Sequence, residues 1–226
     1  MVKRVKGFKG QFTDVDLNNY LTGRFKDEVV NFNTRCGKGV DTFTTVDEAL
    51  RACIDQGMRV LEESNETVKG YLTKDKKERL DGLVDTLVTN TMLHEMYNKL
   101  DKFKEELGEE EYNNQIHQTL SDMSPDSIIV LDVLQSSFEN ALKLGEGVGV
   151  FTPKGIYLAC ELILANNNEK YTDDKTVADD WEQHLEDGHF IKAVEVEGKT
   201  WYSICRKSDN KICKSYNFEE VKLDLG

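Results

Sequence analysis

Residues 176–205 read TVADDWEQHLEDGHFIKAVEVEGKTWYSIC, and within this stretch the hydrophobic period changes from that of a helix to that of a strand. Helical spacing ends near Gly188, and glycine commonly follows the last turn of a helix. Residues 190–197 then alternate between apolar and polar side chains, and Gly198-Lys199 leads into a return strand over residues 200–207. This region therefore predicts a helix followed by a β-hairpin, with one more turn and strand after it.

Upstream of this region the sequence predicts several amphipathic helices. Thr45-x-x-Glu48 is a capping box that begins the first strong helix, and a longer helix follows from Asp75 to Leu107. Ser124-Pro125 and Thr152-Pro153 begin two more helices, because proline is tolerated at the first helical position.

The N-terminal segment has a different pattern. Residues 29–43 mix Val, Phe and Thr around Cys36-Gly37-Lys38-Gly39, which predicts a strand, a tight turn and a second strand. Together the patterns predict a mainly α (α+β) protein of two domains. Residues 1–123 would form a helical body with a short β and turn segment at its N-terminus. Residues 124–226 would form a C-terminal module that ends in a β meander.

Residues 176–205 resemble the recognition helix and wing of winged-helix proteins: a helix, an Asp-Gly turn, an Ile-Lys strand, a Gly-Lys turn and an aromatic return strand. The helix that begins at Thr152-Pro153 would be the first helix of that fold, so the resemblance spans about residues 152–207 and implies a winged-helix-like module. Residues 166–175 depart from the family, because they leave room for only one turn of its second helix. The recognition helix also departs, with five carboxylates and no basic residue between residues 176 and 187. Carboxylates are unfavourable in a groove lined by phosphates.

Charge is distributed unevenly along the chain. The net charge of −13 argues against the whole surface binding a nucleic acid or an anionic membrane, since both are polyanions. Between residues 192 and 214, however, six basic residues outnumber three acidic ones. Tryptophan and cations are frequent contact residues, so this hairpin is the predicted contact surface. Its predicted contact residues are Lys192, Lys199, Trp201, Arg206, Lys207, Lys211 and Lys214.

Trp201 and Tyr202 are adjacent on one strand, so they face opposite sides of it. The alternation groups Tyr202 with Ile204, and we expect both to pack in the core against the preceding helix. Trp201 then lies on the outer face near Lys199 and Arg206. A slipped register, in which Trp201 packs inward, is the alternative.

The first nine residues form a basic arm without an acidic residue. Such arms bind phosphates or an acidic neighbouring chain, although a solvated tail has the same composition. The arm adds four predicted partner-contact residues: Lys3, Arg4, Lys6 and Lys9.

Other features bear on the compartment. The basic opening is not followed by an apolar stretch of signal-peptide length, and the longest aliphatic run, residues 128–131, is far too short to span a membrane. The five cysteines are odd in number and contain no C-x-x-C pair. We therefore expect reduced thiols, a cytoplasmic location and no membrane partner.

Motifs for chemistry are incomplete. His94-Glu95-x-x-Asn98 lacks the second histidine of a zinc site, and the calcium-loop-like start at Asp14 lacks its glycine and its closing glutamate. The glycines of residues 145–149 follow a helix instead of a strand, and their spacing does not match a dinucleotide loop. His184, His189, Cys205 and Cys213 match no common metal spacing. We expect no cofactor, no metal and no catalytic activity.

These observations favour a non-enzymatic interaction or adaptor protein that docks on a larger protein assembly, or on copies of itself, through the C-terminal module and the basic arm. One alternative is a transcriptional regulator that binds nucleic acid through the basic hairpin. Another is an inhibitor whose acidic helix mimics a nucleic acid. The sequence does not identify the partner.

Overall fold

The computed structural model describes residues 4–5, 11–123, 152–220 and 222–223. The chain forms two compact units: residues 1–39 and 153–226 form unit 1, and residues 40–152 form unit 2. This division differs from the predicted boundary at residue 123, because the first 39 residues group with the C-terminal segment. The predicted helix that begins at Ser124 lies outside the described residues, as do Lys3, Lys6 and Lys9.

Unit 2 contains a short 3₁₀ helix (Val40–Thr42) and three described α-helices: α3 (Val46–Leu72), α4 (Lys76–Leu107) and α5 (Glu109–Ser121). The Thr45 hydroxyl accepts a hydrogen bond from the Glu48 amide at 3.2 Å, so α3 begins at the predicted N-cap. The Glu48 carboxylate accepts from the Thr44 amide at 2.8 Å, one residue before this cap. Three residues connect α3 to α4, which makes the two helices an antiparallel hairpin.

The core of unit 2 lies between α3 and α4. Two glycines let the backbones approach closely near the connection, because a Cβ at Gly70 would lie 2.7 Å from the Arg79 nitrogen and one at Gly82 would lie 2.7 Å from the Thr67 nitrogen. The buried apolar side chains of the two helices follow helical spacing, as predicted. They are Val46, Ala49, Leu50, Cys53, Ile54 and Val60 of α3, and Val84, Met92, Leu93, Met96, Leu100 and Phe103 of α4.

Unit 1 contains four described α-helices and a small sheet. The helices are α1 (Asp14–Tyr20), α2 (Lys26–Arg35), α6 (Pro153–Asn168) and α7 (Lys175–Gln183), and a π-helical turn (Leu21–Phe25) joins α1 to α2.

The strand–turn–strand prediction for residues 29–43 is wrong, because residues 26–35 are helical. Val29 and Phe32 lie three positions apart and are buried on one helical face, so packing outweighs their preference for strands. Asp27 and Glu28 in the first turn favour the positive end of the helix dipole. Gly37, with a φ of +69°, stands just past the end of α2, where glycine is favoured.

The sheet of unit 1 has four strands: β2 (Tyr171–Thr172), β3 (His189–Val196), β4 (Lys199–Arg206) and β5 (Ile212–Cys213). All pairs are antiparallel, with β3 on one side of β4 and both β2 and β5 on the other. The strands β3, β4 and β5 form the predicted meander. A separate parallel pair joins β1 (Arg4–Val5) to β6 (Lys222–Leu223). The fold is mainly α with a small C-terminal sheet, as predicted.

Helices cover the two faces of this sheet. On one face, α7 packs on β3 and β4, and its Lys175 ammonium lies 5.4 Å from the centre of the Tyr202 ring of β4. On the other face, the Lys192 ammonium of β3 donates to the Gly37 carbonyl at 2.9 Å, just beyond the end of α2. Trp201 therefore shares its face with α2 and is half-buried, whereas the sequence predicts an outer face. The covering segment is remote in sequence, so strand alternation gives no sign of it.

Candidate functional site

The candidate contact site of unit 1 is a cation–aromatic cluster formed by Arg35, Tyr171 and Trp201. The Arg35 guanidinium carbon lies 4.5 Å from the centre of the Trp201 ring and 5.5 Å from that of Tyr171. The two rings meet edge to face with their centres 5.3 Å apart. All three side chains are half-buried, so part of each remains accessible to a partner.

Three elements build this cluster. Arg35 is the last residue of α2, Tyr171 begins β2, and Trp201 lies near the start of β4. The Arg35 Nη1 donates to the Tyr171 hydroxyl at 2.7 Å, and that hydroxyl donates to Asn168 Oδ1, also at 2.7 Å. Burial raises the pKa of Tyr171, which keeps its hydroxyl protonated and able to donate. The cluster is therefore held in place before any partner binds.

The predicted hairpin cations do not form one patch. Lys199 stands at the start of β4 and Arg206 at its end, and seven residue steps along a strand span about 23 Å. Lys199 pairs with Asp173 at 2.9 Å, and Arg206 pairs with Asp209 at 2.6 Å. Each of these two predicted contact residues thus has a carboxylate of its own chain beside it.

Three further predicted cations lie after the end of β4: Lys207, Lys211 and Lys214. The Lys214 ammonium lies 4.7 Å from the centre of the Phe218 ring. Lys207 and Lys211 are exposed at the turn that joins β4 to β5, next to Arg206. Arg4 of the N-terminal arm lies in β1, and its backbone is in register with Lys222 of the neighbouring strand β6. Lys199 of the predicted set lies beside Trp201, with its ammonium 5.7 Å from the ring centre.

A second surface, which the sequence did not predict, lies on α7 and the segment after β5. Tyr216 is 56% exposed, and its hydroxyl donates to the Asp180 carboxylate at 2.7 Å. Its ring stacks on His184 with the ring centres 4.1 Å apart. The hydrogen bond to Asp180 raises the pKa of Tyr216.

Glu182 of α7 and the two carboxylates beyond its end, Glu186 and Asp187, are also exposed. We call the Tyr216–His184 stack and the Asp180 carboxylate the acidic–aromatic face. The carboxylate was visible in the sequence, but its association with Tyr216 requires the return of the chain after β5. No local pattern around Tyr216 signals it.

The incomplete motifs have structural roles. The Asn98 amide nitrogen lies 3.2 Å from His94 Nδ1, on the exposed side of α4. Among the residues that the structure describes, no group of three or more His, Cys, Asp or Glu side chains could hold a metal ion. Burial raises the pKa of the Cys36, Cys53 and Cys160 thiols to about 12, which disfavours the nucleophilic thiolate. The glycines of residues 145–149 lie outside the described part of the chain.

Unit 2 contains an open polar cavity of about 520 Å³. It lies between the start of α3 and the helix α5. The Arg51 guanidinium at its wall is already bound to the Asp47 carboxylate at 2.9 Å. Thr45, Asp47, Arg51, Glu111, Gln115, Gln118, Thr119 and Asp122 line it. Hydrogen-bonding side chains line this cavity, whereas small-molecule pockets are usually mostly apolar.

Comparisons with known proteins add no relative: no family model, no curated protein and no solved structure matches the chain. Among the described helices, none combines the length and the apolar composition that a membrane crossing needs.

Proposed function

We propose that the chain is a non-enzymatic interaction protein that docks on a larger protein assembly through its C-terminal module. The observation that carries this proposal is the cation–aromatic cluster of Arg35, Tyr171 and Trp201. Arginine, tyrosine and tryptophan are the residue types that dominate binding energy at protein interfaces. The hydrogen bonds that Tyr171 makes with Arg35 and Asn168 hold two of these side chains in place, which reduces the entropy cost of binding a partner.

The arrangement of charges also favours a protein partner over a nucleic acid. Lys199 and Arg206 each face a carboxylate of the same chain, so phosphate contacts would compete with existing ion pairs. Lys207 and Lys211 provide exposed charge at one end of the hairpin only. Tight nucleic-acid binding normally requires several lysines or arginines along one surface.

The order of elements supports a winged-helix-like module within this proposal. The segment α6, β2, α7, β3 and β4 reads helix, strand, helix and hairpin, with β4 between β2 and β3. The helix in the place of the recognition helix carries Asp179, Asp180 and Glu182, which suits a cationic protein surface better than a DNA groove. In this proposal, Arg4 and the rest of the basic arm add a second contact to the same assembly.

The test uses the full-length protein immobilised as bait in an extract of the cells that produce it. The baits are the wild type, Trp201→Ala and Tyr97→Ala, an exposed aromatic residue of unit 2. We expect a protein that the wild type and Tyr97→Ala retain and that Trp201→Ala releases. Far-UV circular dichroism verifies that the variants are folded.

A second measurement separates the alternative functions. Binding of duplex DNA and of single-stranded RNA is measured at about 50 mM and about 200 mM salt. Tight binding that weakens steeply with salt, together with its loss in Lys207→Ala/Lys211→Ala, would establish the nucleic-acid regulator instead. Capture of a DNA-binding protein that duplex DNA displaces, through the acidic–aromatic face, would establish the mimic.

A further inference from the structure

The guanidinium of Arg35 keeps most of its hydrogen-bonding capacity. A guanidinium carries five N–H donors and no acceptor. In the part of the chain that the structure describes, its one hydrogen bond goes to the Tyr171 hydroxyl, and it has no ion pair with a carboxylate. Arg24 of the same unit, by contrast, pairs with Glu161 at 3.0 Å.

Two carboxylates act on the cluster through their charge, but neither is paired with Arg35. Asp173 accepts from the Lys199 ammonium at 2.9 Å, and this bond lowers the pKa of the carboxyl. Burial, and to a smaller extent the charge of Glu28, raises the pKa of Tyr171. The positive charge of Arg35 is therefore not neutralised by a direct contact with either carboxylate.

Aromatic rings hold this guanidinium in position. Its central carbon lies over the Trp201 ring at 4.5 Å and over the Tyr171 ring at 5.5 Å. The N–H groups of a guanidinium lie in its own plane, so rings against its face leave its edge for an acceptor. The two oxygens of a carboxylate match such an edge with two parallel hydrogen bonds. A fixed guanidinium loses little entropy when it binds one.

A second cation lies on the same face of the sheet. Lys192 is in register with Ser203, which is two positions from Trp201 on β4, so the three side chains share one face. The Lys192 ammonium donates to the Gly37 carbonyl, two residues after Arg35, and has no carboxylate partner among the described residues. The cluster therefore favours an anionic ligand, although the protein as a whole has a net charge of −13.

We infer that Arg35 binds the side-chain carboxylate of an aspartate or glutamate in an acidic segment of the partner protein. An apolar side chain next to that carboxylate packs on the accessible parts of Trp201 and Tyr171. Carboxylates at chain ends are captured by backbone N–H groups, whereas the donor here is a side chain, which favours a carboxylate within the segment. The inference rests on the proposed function, because it names the chemistry of the partner at the same cluster.

A peptide titration of the ¹⁵N-labelled full-length protein tests the inference. The probe is acetyl-Gly-Leu-Glu-Leu-Gly-amide, and the control peptide has glutamine in place of glutamate. The two indole N–H signals are followed by NMR and assigned with Trp201→Phe. We expect the Trp201 signal to shift with a Kd on the order of 1 mM. The signal of Trp181, which is 5% exposed and donates to Asn217, should stay in place.

The glutamine peptide should bind at least about tenfold more weakly, because the charge-assisted hydrogen bonds are lost. Arg35→Gln should weaken binding of the glutamate peptide by a similar factor. Lys211→Gln, which removes an exposed charge from the same unit, should leave binding unchanged. The comparison of the two peptides on the wild type needs no variant, so it decides the matter even where Arg35→Gln does not fold.

Equal affinity for the two peptides overturns the inference, as does unchanged affinity in a folded Arg35→Gln. Binding confined to acetyl-Gly-Leu-Gly-Leu with a free C-terminal carboxylate also overturns it and assigns the cluster to a chain end. A partner that is captured through Trp201, while no peptide binds, keeps the proposed function and overturns this inference. Peptide binding through Arg35 without any captured partner supports the carboxylate site and counts against the proposed function.

Discussion

The α3–α4 hairpin and the sheet of unit 1 are stabilised in different ways. The hairpin joins two neighbouring helices through three residues, and its core is a continuous apolar stripe on each helix. Unit 1 instead brings together segments that are far apart in sequence. Arg35 and Tyr171 are 136 positions apart, and Gly37 and Lys192 are 155 positions apart. Packing within unit 1 therefore requires the closure of a long loop, which costs conformational entropy.

The chemistry of the two cores differs as well. The hairpin core consists mainly of aliphatic side chains and methionine. Between α2 and the sheet, the smaller Cys36, Ser203 and Cys205 are fully buried. The Tyr20 hydroxyl at the end of α1 donates to the carboxylate of Glu161 in α6 at 2.6 Å. Arg24 binds the same carboxylate at 3.0 Å. Unit 1 thus depends on specific polar contacts, whereas the hairpin depends on apolar area.

Both tryptophans of the chain, Trp181 and Trp201, lie in unit 1, so tryptophan fluorescence reports the unfolding of that unit. Among the described helices, the 27- and 32-residue helices of unit 2 contribute more to the far-UV circular dichroism than the shorter helices of unit 1 do. The two signals make the comparison between the units measurable.

The largest expected effect is that of Phe25→Ala in unit 1. Phe25 is 1% exposed, and truncation of a buried phenylalanine costs about 3–5 kcal/mol of the free energy of unfolding. Urea denaturation should shift the fluorescence transition to lower urea by more than it shifts the circular dichroism transition, because unit 2 contributes the larger part of the helical signal. Equal shifts of both signals would show that the two units unfold together. That result would contradict the separate stabilisation of unit 1 and the hairpin.

Alkaline pH should weaken unit 1 more steeply than unit 2. Burial raises the pKa of Cys36 and Cys160 in unit 1 and of Cys53 in unit 2 to about 12. The folded state holds these protons, so the stability they contribute is complete below about pH 9 and is lost as pH rises toward 12. Each thiol lowers the free energy of unfolding by about 1.4 kcal/mol per pH unit in that window.

Denaturation curves recorded between about pH 9 and pH 10 test this difference. The pH dependence from thiols should be about twice as steep in unit 1 as in unit 2, because unit 1 has two of the three thiols whose pKa is raised to about 12. Cys160→Ala should halve this dependence in unit 1 and make it about equal to that in unit 2. A slope that this variant leaves unchanged would assign the pH dependence to other groups, such as Tyr20.

A smaller effect is expected for Gly82→Ala in the hairpin. The added Cβ would lie 2.7 Å from the Thr67 backbone nitrogen, and overpacking of this kind costs about 1–3 kcal/mol. Alanine favours helices by up to about 1 kcal/mol over glycine, which offsets part of the loss. The helical transition should weaken while the fluorescence transition stays in place. Lys77→Ala, an exposed change on the same helix, is the control, and stabilisation by Gly82→Ala would contradict close packing.

The smallest expected effect is the coupling between Arg35 and Trp201. A double-mutant cycle of Arg35→Ala and Trp201→Ala should give a coupling free energy of about 0.5–1 kcal/mol, as for other partly exposed cation–π pairs. Trp201→Ala alone should cost more than the roughly 1 kcal/mol of a surface change, because its ring is half-buried. The Lys199–Trp201 pair, at 5.7 Å, should couple more weakly. Strict additivity of Arg35 and Trp201 would show that the cluster is not preorganised.

Local patterns predicted the parts of the fold in which neighbouring residues determine the structure. The cap at Thr45 and the 3.6-residue stripes indicate α3 and α4, because a helix forms its hydrogen bonds within one segment. The change of period after Gly188 indicates β3 and β4, and the alternation places Trp201 and Tyr202 on opposite faces.

The candidate site was predicted only in part, for the same reason. Trp201 and Lys199 follow from the hairpin pattern, but Arg35 and Tyr171 do not, because they reach Trp201 from α2 and β2. Likewise, no sequence pattern links Tyr216 to Asp180, because the two residues meet only where the chain folds back onto α7 after β5. Contacts across more than a hundred residues depend on which surfaces remain to be covered once each element has formed.

The sequence by itself determined the helical hairpin, the meander, the net negative charge and the acidic character of α7, since each depends on residue type and short spacing. The tertiary structure alone decided that residues 26–37 fold as a helix and its terminal turn against the sheet. It also placed Arg35 over Trp201 and left Leu72 exposed at the end of α3. The physical reason is that burial is a property of the whole fold, and a side chain's partners are chosen by the elements that pack around it.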